Sequence, residues 1–219
     1  MKYYYAEHED AYRRLRAEGL AQWSALFGEA EGFDAFPNRE FLEDALSRLD
    51  VSGDVLEYGC GTGPAACYLA ARGFRVEAID LIPQAIELAR GFAAERGLEV
   101  DFGVQDICEL ADEPAGKQYD LIVDSYVLQS IVMDDDRARL FAAVRARLKG
   151  FYLISTAVYE PERVYGDGFR YDASSGICYQ GDRDVPHRRH LPASALRAEI
   201  ERAGFEVVSQ DGGNLVCTI

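Results

Sequence analysis

Paired cysteines are missing from this sequence. Its five cysteines (Cys60, Cys67, Cys108, Cys178 and Cys217) are odd in number, scattered and never arranged as CxxC. Neither a disulfide framework nor a zinc site follows, no metal is expected, and a reducing cytoplasmic setting is the simpler expectation. Basic residues are also scarce. There are 23 Lys and Arg against 38 Asp and Glu, a formal net charge of -15. That field repels phosphate backbones, so no nucleic-acid partner is expected. The clearest basic cluster, PHRRH from Pro186 to His190, is large enough to hold one anionic small molecule and little more. No apolar run is long enough to span a bilayer, and the amino-terminal MKYYYAEHED lacks a signal peptide's apolar stretch, so no membrane partner is expected. Repeats and low-complexity segments are absent as well. The length of 219 residues suits one domain with a full core, residues 1–219, as a monomer or homodimer.

What is present is periodicity. From about residue 7 to 28, Tyr12, Leu15, Trp23, Leu26 and Phe27 recur at near-helical spacing, with Gly19 weakening the middle. In NREFLEDALSRL the stripe Phe41, Leu42, Ala45, Leu46 and Leu49 predicts a helix with Asn38 as its N-cap. Residues 1–50 thus read as a helical cap. Strands and helices then alternate: DVLEYG, a helix opened by Pro64, RVEAID, a second proline-opened helix, VDFGVQD, YDLIVDSYV, DDDRARLFAAVRARLKG and FYLISTAVY. Near-continuous apolar strands between helices predict an α/β, doubly wound, mostly parallel sheet of about seven strands. After the helix PASALRAEIERAGF, EVVSQ and NLVCTI flank the turn-forming DGG and predict a C-terminal antiparallel hairpin. Residues 160–191, before that helix, read as an irregular, aromatic and charged insertion on the substrate side.

The first strand runs into Gly59, Gly61 and Gly63, where a missing Cβ lets the backbone turn tightly and approach a ligand. In open α/β sheets such a turn borders the ligand crevice. A dinucleotide fingerprint needs a small residue where this chain has Pro64, which also removes an amide from the anion-binding end. NAD and an oxidoreductase are therefore disfavoured. Glu57, two residues before the first glycine, suits a cationic ligand better than a pyrophosphate.

VLEYGCGTG resembles motif I of the class I S-adenosylmethionine-dependent methyltransferases, in their small-molecule form. The resemblance runs from about Asp54 to the carboxyl terminus and implies a Rossmann-like fold with S-adenosylmethionine as cofactor. It implies that Glu57 and the backbone of Tyr58, Gly59, Cys60, Gly61 and Gly63 form the cradle, and that Asp80, followed by Leu81, takes the ribose hydroxyls. Asp106 would meet the adenine amino group and Ile107 its ring, while Asp124 and Ser125 would edge the methionine portion. Each of these acids has an ordinary alternative, since strand-end carboxylates also cap the next helix.

The resemblance implies direct in-line displacement, in which the protein mainly aligns the reactants and excludes water, with a base only if the nucleophile arrives protonated. No nucleophilic triad or metal motif is needed, and none is present. The amino-terminal aromatics Tyr3, Tyr4, Tyr5, Tyr12 and Trp23 are candidates for a lid over the cofactor, Trp23 through cation–π contact, or else for core packing. Arg39 is a candidate partner of the methionine carboxylate. In the insertion, His187 and His190 are the candidate bases and Arg188 and Arg189 the candidate anchors of a substrate anion. Tyr5, Tyr126 and Tyr171 are candidate substrate contacts. The expected function is methyl transfer to a small-molecule acceptor. Two alternatives stay open: a non-catalytic S-adenosylmethionine-binding sensor or subunit, and methylation of a macromolecule. DSYV stands where the asparagine-proline-proline-aromatic motif of many amino-group methyltransferases would be, which lowers the latter.

Overall fold

Five-residue runs such as DVLEY, with apolar side chains alternating between two faces, cannot keep either face in water, and they form the centre of the fold. The computed structural model describes residues 5–20, 25–26, 33, 35–181 and 185–219. Its elements are α1 (Tyr5–Glu18), α2 (Arg39–Arg48), β1 (Asp54–Tyr58), α3 (Pro64–Ala70), β2 (Arg75–Asp80), α4 (Pro83–Ala94), β3 (Asp101–Val104), β4 (Tyr119–Ser125), α5 (Asp134–Arg147), β5 (Leu148–Ser155), β6 (Phe169–Asp172), β7 (Ile177–Gln180), β8 (Val185–Arg189), α6 (Ala193–Arg202), β9 (Glu206–Asp211) and β10 (Asn214–Thr218).

A seven-stranded sheet has the order β3-β2-β1-β4-β5-β10-β9. β1 pairs in parallel with both β2 and β4, and β10 runs antiparallel to β5 and β9, the expected hairpin. This is the Rossmann-like, mostly parallel architecture that the alternation predicts. Strand order reverses between β1 and β4, so the loops leaving their carboxyl ends part company and leave a crevice. Each face of the sheet carries a core. Leu56 and Tyr58 of β1 point to the face covered by Leu140, Phe141 and Val144 of α5 and Leu196 and Ile200 of α6. Val55 points to the face covered by Leu42, Leu69, Ile86 and Phe92 of α2, α3 and α4. The five cysteines are free and buried.

Two expectations need correction. The first helix stops at Glu18, because Gly19 takes a left-handed φ of 66° and ends it, rather than continuing to residue 28. Trp23, Phe27, Tyr3 and Tyr4 lie outside the described residues. The insertion is not irregular: β6, β7 and β8 form a separate three-stranded antiparallel sheet. Gly176 donates to the Asp172 carbonyl at 2.8 Å and closes the first hairpin. Pro186, which donates no ladder hydrogen bond, is confined to β8 at the edge. Among the described residues, no helix is long and apolar enough to cross a membrane.

Candidate functional site

The crevice at the switch point encloses a cavity of about 460 Å³. Its floor is the turn after β1. Gly61 has a φ of 57°, and a Cβ there would stand 2.8 Å from the Tyr12 hydroxyl of α1. Gly59 is equally crowded, against Val127. Side chains at either position would block the contact between the turn and what covers it.

Two carboxylates face this floor. Glu57 is 1% exposed; its Oε1 accepts from Ser125 Oγ at 2.9 Å, and that hydroxyl in turn accepts from Asn38 Nδ2 at 3.1 Å. Its Oε2 has no hydrogen-bond partner among the described residues. Burial pushes the Glu57 carboxyl up to about 8; the Ser125 hydroxyl and the nearby Ala66 amide oppose this, and the charges of Asp80 and Asp124 add to it. Asp80 ends β2 with Oδ2 accepting from Gly61 N at 2.9 Å and Oδ1 from Ile82 N at 2.8 Å. It ties the glycine turn to the next strand while each oxygen retains a second lone pair. Burial raises its carboxyl to about 6 against the pull of those two amides.

The rest of the wall comes from distant segments. His8 and Tyr12 of α1, Phe36 to Asn38, the turn from Ser125 to Ile131 and Arg188 of β8 all line the cavity. Tyr126 holds a left-handed φ of 65°, rare for a residue with a Cβ, and donates its amide to Ser155 O at 2.8 Å. Below it, Asp124 accepts from Val127 N at 2.8 Å and Leu128 N at 3.0 Å. Arg137 grips the far end of the same turn, donating from Nη1 to Leu128 O at 2.7 Å and Ile131 O at 2.8 Å. Glu199 of α6 balances that buried guanidinium at 2.5 and 2.7 Å.

Of the residues singled out in the sequence, Glu57, Gly59, Cys60, Gly61, Asp80, Leu81, Ser125, Tyr126 and Arg188 line this one cavity. Others do not. Gly63 lies behind the floor, where a Cβ would press on Phe102 and Ala89. Tyr58 and Asp124 point into the core, the Tyr58 hydroxyl donating to Asp124 at 2.5 Å and touching that of Tyr152. Burial raises the Asp124 carboxyl to about 7. Asp106 accepts from Cys108 N at 2.9 Å, the capping role, and Ile107 is buried in the α5 core. Arg39 lies 3.7 Å from Glu43 and 5.8 Å from the Tyr68 ring centre. Tyr5 packs beside Tyr12 and Ile82, and Trp23 is outside the described residues.

The insertion candidates divide in the same way. Tyr171 stacks between Tyr159 and Tyr165, at 4.8 and 5.1 Å. His190 is buried against Tyr165, its Nδ1 3.0 Å from that hydroxyl, and burial with the nearby Arg163 and Arg188 charges pushes it down to about 4. His187 Nδ1 stands 3.2 Å from Glu7, and Arg189 binds Asp134 at 2.5 Å. Neither histidine lines the cavity. His8 lines the cavity without any signal in the sequence, and Asn38 lines it too rather than serving as the expected helix cap. Asn38 does precede α2 but makes no side-chain cap bond, reaching Ser125 instead. No group of three or more potential metal ligands occurs among the described residues.

A family model described as a methyltransferase domain matches residues 23–210. A relative from Mycobacteroides abscessus, named 2-heptyl-1-hydroxyquinolin-4(1H)-one methyltransferase, is 40% identical over 115 residues, covering 52% of this chain and 49% of its own. A ubiquinone biosynthesis O-methyltransferase from Xanthomonas axonopodis is 37% identical over 91 residues, or 41% of this chain and 38% of its own. The chain therefore spans about half the length, or less, of these curated relatives. The solved CcbJ methyltransferase of Streptomyces caelestis superposes with a TM-score of 0.66 at 18% identity, covering 90% of this chain and 95% of its own, which shows a shared fold. With the family model spanning residues 23–210 of 219, the chain belongs to the methyltransferase-domain family.

Proposed function

We propose that this chain is an S-adenosylmethionine-dependent methyltransferase whose acceptor is a hydroxyl oxygen on a small ring compound. The observation that carries the cofactor is Glu57: a buried carboxylate with one oxygen unpartnered among the described residues, beside a turn that a Cβ would fill. Such an oxygen is costly to leave unmatched and is satisfied by a ligand cation. Asp80, with a spare lone pair on each oxygen, suits the two ribose hydroxyls of an adenosine. When bound, S-adenosylmethionine supplies a methyl group on an already activated sulfonium. Ser125 and Asn38 orient Glu57 toward that ligand, and Tyr12 covers the turn against water. Tyr126, Gln129 and Arg188 remain for the acceptor. In this reading residues 1–219 act as one domain, with 1–50 as its cap and 160–191 as a substrate-side insertion.

The oxygen acceptor is supported by the names of two relatives, one acting on a hydroxyquinolone and one an O-methyltransferase. Calorimetry with S-adenosylmethionine, S-adenosylhomocysteine and NAD is expected to give saturable binding with the first two alone. Tritiated methyl transfer into hydroxylated aromatic metabolites is the expected activity. Binding of NAD in place of S-adenosylhomocysteine would overturn the cofactor; label confined to amines or protein would overturn the acceptor.

A further inference from the structure

We propose that the acceptor carries a ring carbonyl beside the hydroxyl that is methylated, and that Gln129 and Arg188 are the residues that select it. The inference rests on the reading of the site as a methyltransferase with a hydroxyl acceptor, and names the chemical class of that acceptor.

Both residues line the cavity, and each is pinned by contacts that fix what the rest of its side chain offers. Gln129, in the turn after β4, accepts from Ala157 N through Oε1 at 3.0 Å. A backbone amide can only donate, so the side-chain oxygen belongs on that partner and the NH2 group takes the opposite corner of the amide plane. Neither hydrogen of that NH2 meets a partner among the described residues.

Arg188 of β8 has a side chain only 14% exposed. Its end-on edge grips Glu7 of α1, Nη2 to Oε1 at 2.9 Å and Nη1 to Oε2 at 3.2 Å, and Nη1 also donates to His187 O at 2.8 Å. Of the guanidinium hydrogens, Nε–H and the second one on Nη2 have no partner among the described residues. These two stand side by side on one edge of the planar group, a parallel fork for oxygen. Burial would raise the Glu7 carboxyl, but the His187 ring and the Arg188 guanidinium beside it hold it down to about 2. Glu7 therefore keeps Arg188 in this orientation across the neutral range.

Polar groups that can only donate are matched by a ligand oxygen that only accepts. The Tyr126 and Ser130 hydroxyls and the His8 ring, which also line the cavity, serve in either sense and leave that demand unchanged. Carbonyl and carboxylate oxygens both accept without donating, and charge separates them. Glu7 already balances Arg188, Glu57 and Asp80 line the same cavity, and the chain carries a net charge of -15. An added anion would meet net repulsion there. A neutral carbonyl takes the same donors with no charge to offset.

The test uses the whole chain and three acceptors matched at one ring position: a hydroxyquinolone, the hydroxyquinoline that lacks its carbonyl, and the hydroxyquinoline with a carboxylate in its place. In the tritium assay kcat/KM is expected to be about tenfold or more higher for the quinolone than for either analogue, since donors facing a ligand without that oxygen go unpaired. Gln129→Glu keeps an oxygen on Ala157 N and sets a second oxygen where the NH2 stood. Arg188→Lys keeps the charge beside Glu7 and loses the fork. Each is expected to bring the quinolone preference toward one, mainly through KM, with calorimetric affinity for S-adenosylhomocysteine kept. Equal use of the quinolone and the hydroxyquinoline, a preference for the carboxylate, or a preference unmoved in both variants would overturn this inference alone. Binding of S-adenosylhomocysteine with no label in any of the three would overturn the hydroxyl acceptor and this inference with it. Failure of the wild-type chain to bind S-adenosylhomocysteine would overturn the whole functional reading.

Discussion

The two sides of the cavity are built differently. The side proposed for the cofactor is local: Glu57, the glycine turn and Asp80 lie within 24 residues of each other (57 to 80) on neighbouring parallel strands, and Asp80 fastens the turn through backbone amides. The opposite side is assembled from α1, the segment before α2, the turn after β4, and β8. Its defining contact, Glu7 to Arg188, joins residues 181 positions apart. One side is a short backbone motif, stiff and nearly self-contained. The other is held by side chains, and can change without disturbing the first.

The largest test of that division is Arg137→Met. Removing the buried charge that holds Leu128 O and Ile131 O leaves those carbonyls and the partly buried Glu199 without their partner, which is expected to cost about 3 kcal/mol by denaturant unfolding. Residual folded protein should still bind S-adenosylhomocysteine; loss of that binding in a folded variant would break the comparison. On the cofactor side, Asp80→Ala removes charged hydrogen bonds worth roughly 1.5–3 kcal/mol, so affinity for S-adenosylhomocysteine should fall tenfold or more by calorimetry. Unchanged affinity would remove Asp80 from the site.

Proton linkage sharpens the same side. Glu57 and Asp80, raised to about 8 and about 6, and the core Asp124, raised to about 7, are neutral in the free protein at mildly acid pH. Raised carboxyls stabilise the fold fully below their unfolded values and lose that contribution as pH rises through the folded ones. The melting temperature of the free protein should therefore fall between pH 6 and 8.5. A cationic ligand reverses this at Glu57, so affinity should rise over the same window, by up to about tenfold per pH unit. Glu57→Gln should flatten the rise; a profile that survives it would point to another group. The smallest expected effect is that of Glu7→Gln on stability. This half-exposed ion pair is worth about 1 kcal/mol or less in urea, and cofactor affinity should not move.

Where the signal is local, the sequence was readable. The strands from β1 to β5, the proline-opened helices and the hairpin around DGG all follow from periodicity and turn chemistry over windows of a few residues. The insertion was not, because β6, β7 and β8 are four or five residues long and present no clean buried face, so their alternation carries no hydrophobic period. The acids at strand ends look alike in sequence whether they bind a ligand or cap a turn. Glu57 and Asp80 line the cavity, and Asp80 holds two backbone amides as well, whereas Asp124 lies in the core and Asp106 accepts from Cys108 N without lining the cavity. His8 left no trace, since a histidine in a half-exposed helix has no neighbour in the chain that marks it.

By itself the sequence determined the sheet, its switch point and a glycine turn behind a carboxylate, because strand periodicity and the absence of a Cβ act between adjacent residues. Only the tertiary structure decided which histidine and which arginine line the cavity. Those assignments depend on which chain segments a right-handed α/β winding brings over the crevice, and on burial and charge that exist only once they meet.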